Sequence, residues 1–184
     1  MNKKRCSWCT GDPIYENYHD TEWGRVVKKD AALFEFLILE GFQAGLSWIT
    51  ILKKREAFRS AFDGFDYQKI AHYTDTKLQS LSENKAIVRN RLKIRATVQN
   101  AKAFIKIQEE FGSFSNYYWG HTNGKTLKNK VALYKEAPAF TELSTKMSKD
   151  LKKRGFNFVG PTIVYAFMLA TGMVNDHETN CFLY

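Results

Sequence analysis

The sequence predicts an all-α fold of about eight helices built as one globular unit over residues 1–184. Three observations carry this. Apolar residues recur at helical spacing through most of the chain. No segment alternates apolar and polar residues as a half-buried strand does. Only three prolines are present, and most glycines fall at segment ends. Residues 7–17 are turn-like and are read as a loop. Asp30 can cap a helix running through Leu39, almost wholly apolar and therefore central. Gly45-Leu46-Ser47 opens the next helix, with Trp48, Ile51, Leu52, Phe58 and Phe62 near one face and Asp63-Gly64 as the stop. Ile94, Val98, Ala101 and Ile105 form a helical stripe that ends at Gly112. Residues 120–140 read as a second loop. Leu143, Met147 and Leu151 form another stripe. Pro161 suits a first helical position and Gly172 a C-terminal cap.

Composition narrows the function classes. The chain is 44% hydrophobic and 26% charged, which excludes a disordered or collagen-like chain. No run of apolar residues is long enough to span a membrane, so no membrane role is expected. The basic start, Met1 to Arg5, leads into turn-like residues instead of an apolar run, so an intracellular protein is expected. Lys and Arg number 28 against 19 Asp and Glu, a net charge of +9, which favours polyanionic partners. Aromatic residues make up 15% of the chain, and their faces can stack on unpaired bases. Three cysteines without an export signal favour free thiols or a metal over disulfides.

Four groups of residues could carry chemistry. Cys6 and His19 near one end, with His177 and Cys181 near the other, make a two-Cys, two-His set suited to one structural zinc. Such a site would join segments of about residues 1–25 and 173–184. Cys6-x-x-Cys9 is itself a metal-type spacing, so Cys9 stays open as a ligand; His72 and His121 have no such neighbours. Arg154-Gly155-Phe156-Asn157-Phe158-Val159-Gly160-Pro161-Thr162 joins two helices and resembles the turn of a helix-hairpin-helix. That turn offers backbone N–H groups to DNA phosphates, and Lys149, Lys152 and Lys153 precede it; an ordinary αα-turn would look similar. Glu40 closes the apolar helix just before the glycine-punctuated Gln43-Ala44-Gly45-Leu46 segment and Trp48. A carboxylate there is either a poorly solvated functional acid or a plain helix end. Trp8, Tyr15, Tyr18 and Trp23 could wall a pocket for a flat ligand, or simply pack in the core.

Together these segments resemble one family. Cys6-x-Trp8, Asp12-Pro13-Ile14-Tyr15, Tyr18-His19-Asp20-x-Glu22-Trp23-Gly24, Leu39-Glu40-Gly41-x-Gln43-Ala44-Gly45-Leu46-Ser47-Trp48-Ile49-Thr50, Leu52 to Glu56, Lys153-Arg154-Gly155-Phe156-x-Phe158-Val159-Gly160 and Val174-Asn175-Asp176-His177 are similar to 3-methyladenine DNA glycosylase I. The likeness runs from Cys6 to Cys181. Two departures are Phe42, where many members carry a polar residue, and Cys9, where members usually have no thiol.

The resemblance implies an all-helical member of the helix-hairpin-helix glycosylase superfamily. It implies hydrolysis of the N-glycosidic bond of 3-methyladenine in alkylated double-stranded DNA, releasing the free base; no residue stands out as an attacking amine, so excision with water and no strand cleavage is expected. It implies a base pocket at Trp8, Tyr18, Glu40 and Trp48, with Tyr15 nearby, and Glu40 as the discriminating acid. Gln43, Ala44, Gly45 and Leu46 would wedge the duplex where the base leaves. Lys153, Arg154, Gly155 and Gly160 would meet phosphates, and zinc would sit on Cys6, His19, His177 and Cys181. Nothing demands more than a monomer. Two other readings are a glycosylase using Asp176 as its acid, with orientation of His177 the more ordinary job for that residue, and a non-catalytic DNA-binding module.

Overall fold

In the computed structural model, which describes residues 3–184, helical periodicity resolves into ten α-helices among the described residues. They are α1 (Pro13–Thr21), α2 (Asp30–Gln43), α3 (Trp48–Lys53), α4 (Arg55–Ala61), α5 (Tyr67–Ile70), α6 (Asp75–Glu83), α7 (Arg91–Phe111), α8 (Phe114–Gly120), α9 (Glu142–Lys153) and α10 (Pro161–Ala170). Two-residue strands β1 (Leu127–Lys128) and β2 (Val174–Asn175) pair in parallel, a feature too short to leave an alternating pattern in the sequence. Met1 and Asn2, part of the basic start, lie outside the described residues.

The apolar run after Asp30 forms the centre. Nine residues of α2, including Phe34, Leu37 and Glu40, are buried, and the helix packs against α3, α7, α8 and α10. Each fully buried Leu or Phe contributes roughly 1.5–3 kcal/mol, so this helix anchors the core. Phe104 joins α2 to α8, its ring 5.1 Å from Phe34 and 4.2 Å from Phe114. Phe42 packs 4.7 Å from Phe58 and is almost fully buried, so it belongs to the core and not to the loop surface beyond it. Asp30 does not cap its own helix as expected. Its carboxylate accepts the N–H groups of Phe114 and Ser115 at 2.9 and 2.8 Å, and so caps α8.

Two sequence expectations change. The segment read as loop 7–17 contains the start of α1, with Asp12 accepting from Ile14 N–H and Tyr15 N–H and Pro13 at the first position. The single helix expected after Leu46 is broken at Lys54, where the backbone leaves helical geometry (φ −101°, ψ 0°). Residues 120–140 remain mostly irregular, with β1 and a short 3₁₀ turn at Tyr134–Glu136. No helix among the described residues is long and apolar enough to cross a membrane.

Candidate active site

The buried end of α2 opens into a cavity of about 300 Å³ lined by Trp8, Tyr15, Tyr18, Trp23, Glu40, Trp48 and Tyr134, with Gln43, Ser47, Ala166 and Leu169. All of the expected pocket residues meet here. Trp8 lies 5.2 Å edge-on to Tyr15 and 5.1 Å from Trp23, and Tyr18 is 5.5 Å from Trp48. Tyr15 also ties α1 to α3, its hydroxyl accepting the Ile49 N–H at 3.0 Å. The aromatic tract therefore forms a pocket wall in addition to packing.

Four polar atoms of this cavity are unpartnered. Trp8 Nε1, Tyr18 Oη, Glu40 Oε2 and Trp48 Nε1 are buried without a hydrogen-bond partner. Buried polar groups are almost always paired, because leaving one unpaired costs about 1–3 kcal/mol. Four such atoms on one aromatic cavity are donors and acceptors held ready for a flat polar ligand. Burial pushes the Glu40 carboxyl up to about 8. Glu40 is thus no solvated helix end.

The sequence did not single out Tyr134. It lies 86 residues beyond Trp48, the next pocket residue upstream, in a segment read as loop, and nothing in its neighbours marks it. Its ring is 6.0 Å from both Trp8 and Trp23, and burial followed by the nearby Glu40 charge pushes its phenol up to about 12.

Beyond Glu40 the chain turns through Gln43 to Ser47. Gly45 has φ +81°, which favours glycine, and Gly45, Leu46 and Ser47 are exposed. Lys93 on α7 holds this turn. Its buried ammonium donates to the carbonyls of Phe42 (2.8 Å) and Ala44 (2.6 Å), placing a cation on the C-terminus of α2. The same helix holds the α9–α10 connection: Asn100 accepts the Asn157 N–H at 2.8 Å and donates to the Asn157 carbonyl at 3.0 Å. One helix thereby fixes the relative position of two loops, a role invisible in local sequence.

In the α9–α10 connection, Gly155 (φ +97°) ends α9 and Gly160 begins α10, whose first turn has no side-chain cap. Lys149, Lys152 and Lys153 are exposed. Arg154, expected at phosphates, is engaged elsewhere: it reaches Asp150 at 2.7 Å and Glu110 at 2.6 Å and lies over Phe111 and Tyr117. Its charge is already compensated within the protein.

At the opposite end of the pocket wall the two termini meet. Ligand atoms of Cys6, His19 and Cys181 lie within 4.8 Å of one another. The ring of His177 is 5.3 Å from that of His19, and its Nε2 is buried without a partner. Backbone N–H groups of Glu178 and Leu183 point at the sulfurs of Cys6 (3.3 Å) and Cys181 (3.5 Å). Asp20 holds His19 Nδ1 and Asn175 holds His177 Nδ1, both at 2.9 Å. Two thiols and the His19 imidazole form the cluster, His177 lies beside it with an orphaned nitrogen, and this donor set is of the kind that suits a structural zinc. Cys9 is not in the cluster; its thiol donates to the Cys6 carbonyl at 3.2 Å. Gly24 is required here, because a Cβ would lie 2.5 Å from His177 Cε1.

Asp176 does not orient His177, as its position in sequence suggested; the neighbouring Asn175 does. Asp176 is fully buried and accepts from Tyr165 Oη (2.6 Å) and Asn129 Nδ2 (2.8 Å), pinning β2 to α10 and to the segment after β1.

Comparison with known proteins agrees with this geometry. A family model described as methyladenine glycosylase matches residues 8–184. A DNA-3-methyladenine glycosylase of Haemophilus influenzae is 45% identical over 177 residues, covering 96% of each chain. A crystal structure of a 3-methyladenine DNA glycosylase I superposes with a TM-score of 0.95 at 44% identity, covering 98% of this chain and 100% of the other. A tyrosine-to-phenylalanine variant of such an enzyme, solved in complex with 3-methyladenine, superposes with a TM-score of 0.93 at 39% identity over 99% of this chain and 97% of its own. The chain belongs to the methyladenine glycosylase family.

Proposed function

We propose that this protein is a monofunctional DNA glycosylase that hydrolyses the N-glycosidic bond of 3-methyladenine in alkylated DNA. The observation that carries the reading is the set of four unpartnered polar atoms on one aromatic cavity. A module that only gripped phosphates would have no use for it. The cavity lies inside the protein, so the base must leave the duplex stack to reach it. The exposed Gly45-Leu46 turn would fill the gap, and the open first turn of α10, acting with α9 as a helix-hairpin-helix, would hold phosphate.

The chemistry asks little of the protein. A 3-methylated adenine attached to deoxyribose is a cation. When the C1′–N9 bond breaks, its electron pair moves onto the base and neutralises it. A water oxygen then bonds to C1′ and loses a proton. No lysine lines the cavity among the described residues, so water and not an amine takes the sugar, and the strand stays uncut. Selectivity comes from recognition. The aromatic faces gain roughly 0.5–2 kcal/mol per contact from a cation. The same cation draws Glu40 towards its ionised form, in which it accepts from the exocyclic amine. Neutral adenine gains neither effect. Asp176 is not the acid, since both of its oxygens are bonded away from the cavity. Zinc on Cys6, His19, His177 and Cys181 would join the termini and take no part in the reaction. The site is complete within one chain, so a monomer suffices.

Incubating the protein with methylated duplex DNA tests the reading. Free 3-methyladenine should appear while the strands remain intact; release of no base would leave only DNA binding. Reversing Lys152 and Lys153 to Glu should weaken DNA affinity and reduce the slope of log K against log salt by about 2, with free-base binding unchanged. Lys93→Met should leave two carbonyls at the end of α2 without a donor. Excision from DNA is expected to fall about tenfold or more, with the affinity for free 3-methyladenine retained, as measured by calorimetry.

A further inference from the structure

We propose that Tyr134 is a further recognition residue of the base pocket, and that Glu178 is the positioning residue that sets it there. The inference rests on the glycosylase reading of the cavity. Gln43, Tyr134, Ala166 and Leu169 are shared between the base cavity and a second cavity of about 360 Å³ beside the Ala44–Leu46 turn. Tyr134 therefore stands between the pocket and the groove next to the exposed loop. Its ring faces Trp8 and Trp23, each at 6.0 Å, and adds one more aromatic face to the wall.

The residue comes from an irregular segment, yet that segment is strapped down. β1 pairs with β2 at Leu127 with Val174 and at Lys128 with Asn175, and Val131 continues the ladder opposite Glu178. Thr179 N–H donates to the Val131 carbonyl at 2.9 Å. Glu178, buried to 3% exposure, then accepts on a single oxygen from the Tyr134 N–H (2.9 Å) and from Ser7 Oγ (2.5 Å). Ser7 directly precedes Trp8. One carboxylate thus ties the Tyr134 backbone to the Ser7 side chain, beside two pocket aromatics that are far apart in sequence. A charged acceptor for a backbone N–H is a strong tie. Among the described residues, the short turn at Tyr134–Glu136 has no other side-chain anchor of this kind.

Calorimetric titration with free 3-methyladenine tests both parts. Tyr134→Ala and the bulk-preserving Tyr134→Leu should raise the dissociation constant by roughly 5- to 100-fold, the range for one lost base–aromatic stack. Tyr134→Phe should bind like the parent. Glu178→Ala should weaken binding severalfold in the parent and not at all in the Tyr134→Ala background. Glu178→Gln, which keeps an acceptor oxygen, should restore binding; a merely structural role would show no such rescue and no such coupling. Parental affinity in Tyr134→Leu, or an equal loss from Glu178→Ala in both backgrounds, would overturn the proposal while leaving the glycosylase reading intact. A parent protein that binds no 3-methyladenine would overturn both.

Discussion

Replacing Glu40 by Gln is expected to slow excision of 3-methyladenine by roughly 10- to 200-fold, because a charged hydrogen bond contributes about 1.5–3 kcal/mol. The loss should be incomplete, since the leaving group is already activated by its own charge. The same change should stabilise the protein at alkaline pH. Burial raises the folded-state Glu40 value from 4.5 to about 8. Between those values the unfolded chain has released this proton and the folded chain has kept it. Stability therefore falls as pH rises, by about 1.4 kcal/mol per unit, and the penalty levels off above pH 8. Glu40→Gln removes that slope. The catalytic profile runs the other way. In the parent, kcat/KM should climb with pH towards about 8 as the empty pocket ionises, and the Gln variant should lack that limb. Parental excision in Glu40→Gln, alongside failure of a stably folded Asp176→Asn, would assign the acid to Asp176 instead.

Loss of the proposed zinc should have the largest effect on stability. Purified protein is expected to carry about one zinc per chain, by elemental analysis. Cys181→Ser and His177→Ala should each lose it and lower the thermal midpoint by on the order of 10 °C, corresponding to several kcal/mol in a chain of this size. Cys9→Ser should keep the metal, because that thiol points at a carbonyl and not into the cluster. Zinc-free protein with unchanged stability in strong chelator would remove the site. Retention by Cys181→Ser with loss by Cys9→Ser would redraw it.

Much of the fold was legible because long buried helices leave strong patterns. The α2 run and the α7 stripe are of this kind. The start of α1 is hard to read although Asp12-Pro13 is a helix-start signal, since two residues of cap and proline compete with a turn-like neighbourhood. The break at Lys54 left no signal: no proline or glycine marks it, and only the folded backbone shows it (φ −101°, ψ 0°). The pocket was readable where its residues cluster near Trp8 and Glu40. Tyr134 and Lys93 were not, because each acts through partners tens of residues away that only tertiary structure brings together. Arg154 and Asp176 show the converse. Their sequence neighbours suggested DNA and His177, while the folded chain offered nearer partners: Glu110 and Asp150 for one, Tyr165 and Asn129 for the other.

The indole N–H resonances give the most direct test of the cavity as the base site. Trp8 and Trp48 have unpartnered indole donors on the cavity, whereas Trp119 donates to the Val27 carbonyl at 2.9 Å and serves as an internal control. Titrating labelled protein with free 3-methyladenine should shift the Trp8 and Trp48 resonances together, saturating at one base per chain, and leave Trp119 in place. Unmoved Trp8 and Trp48 signals in a protein that still releases 3-methyladenine from DNA would place base recognition outside this cavity.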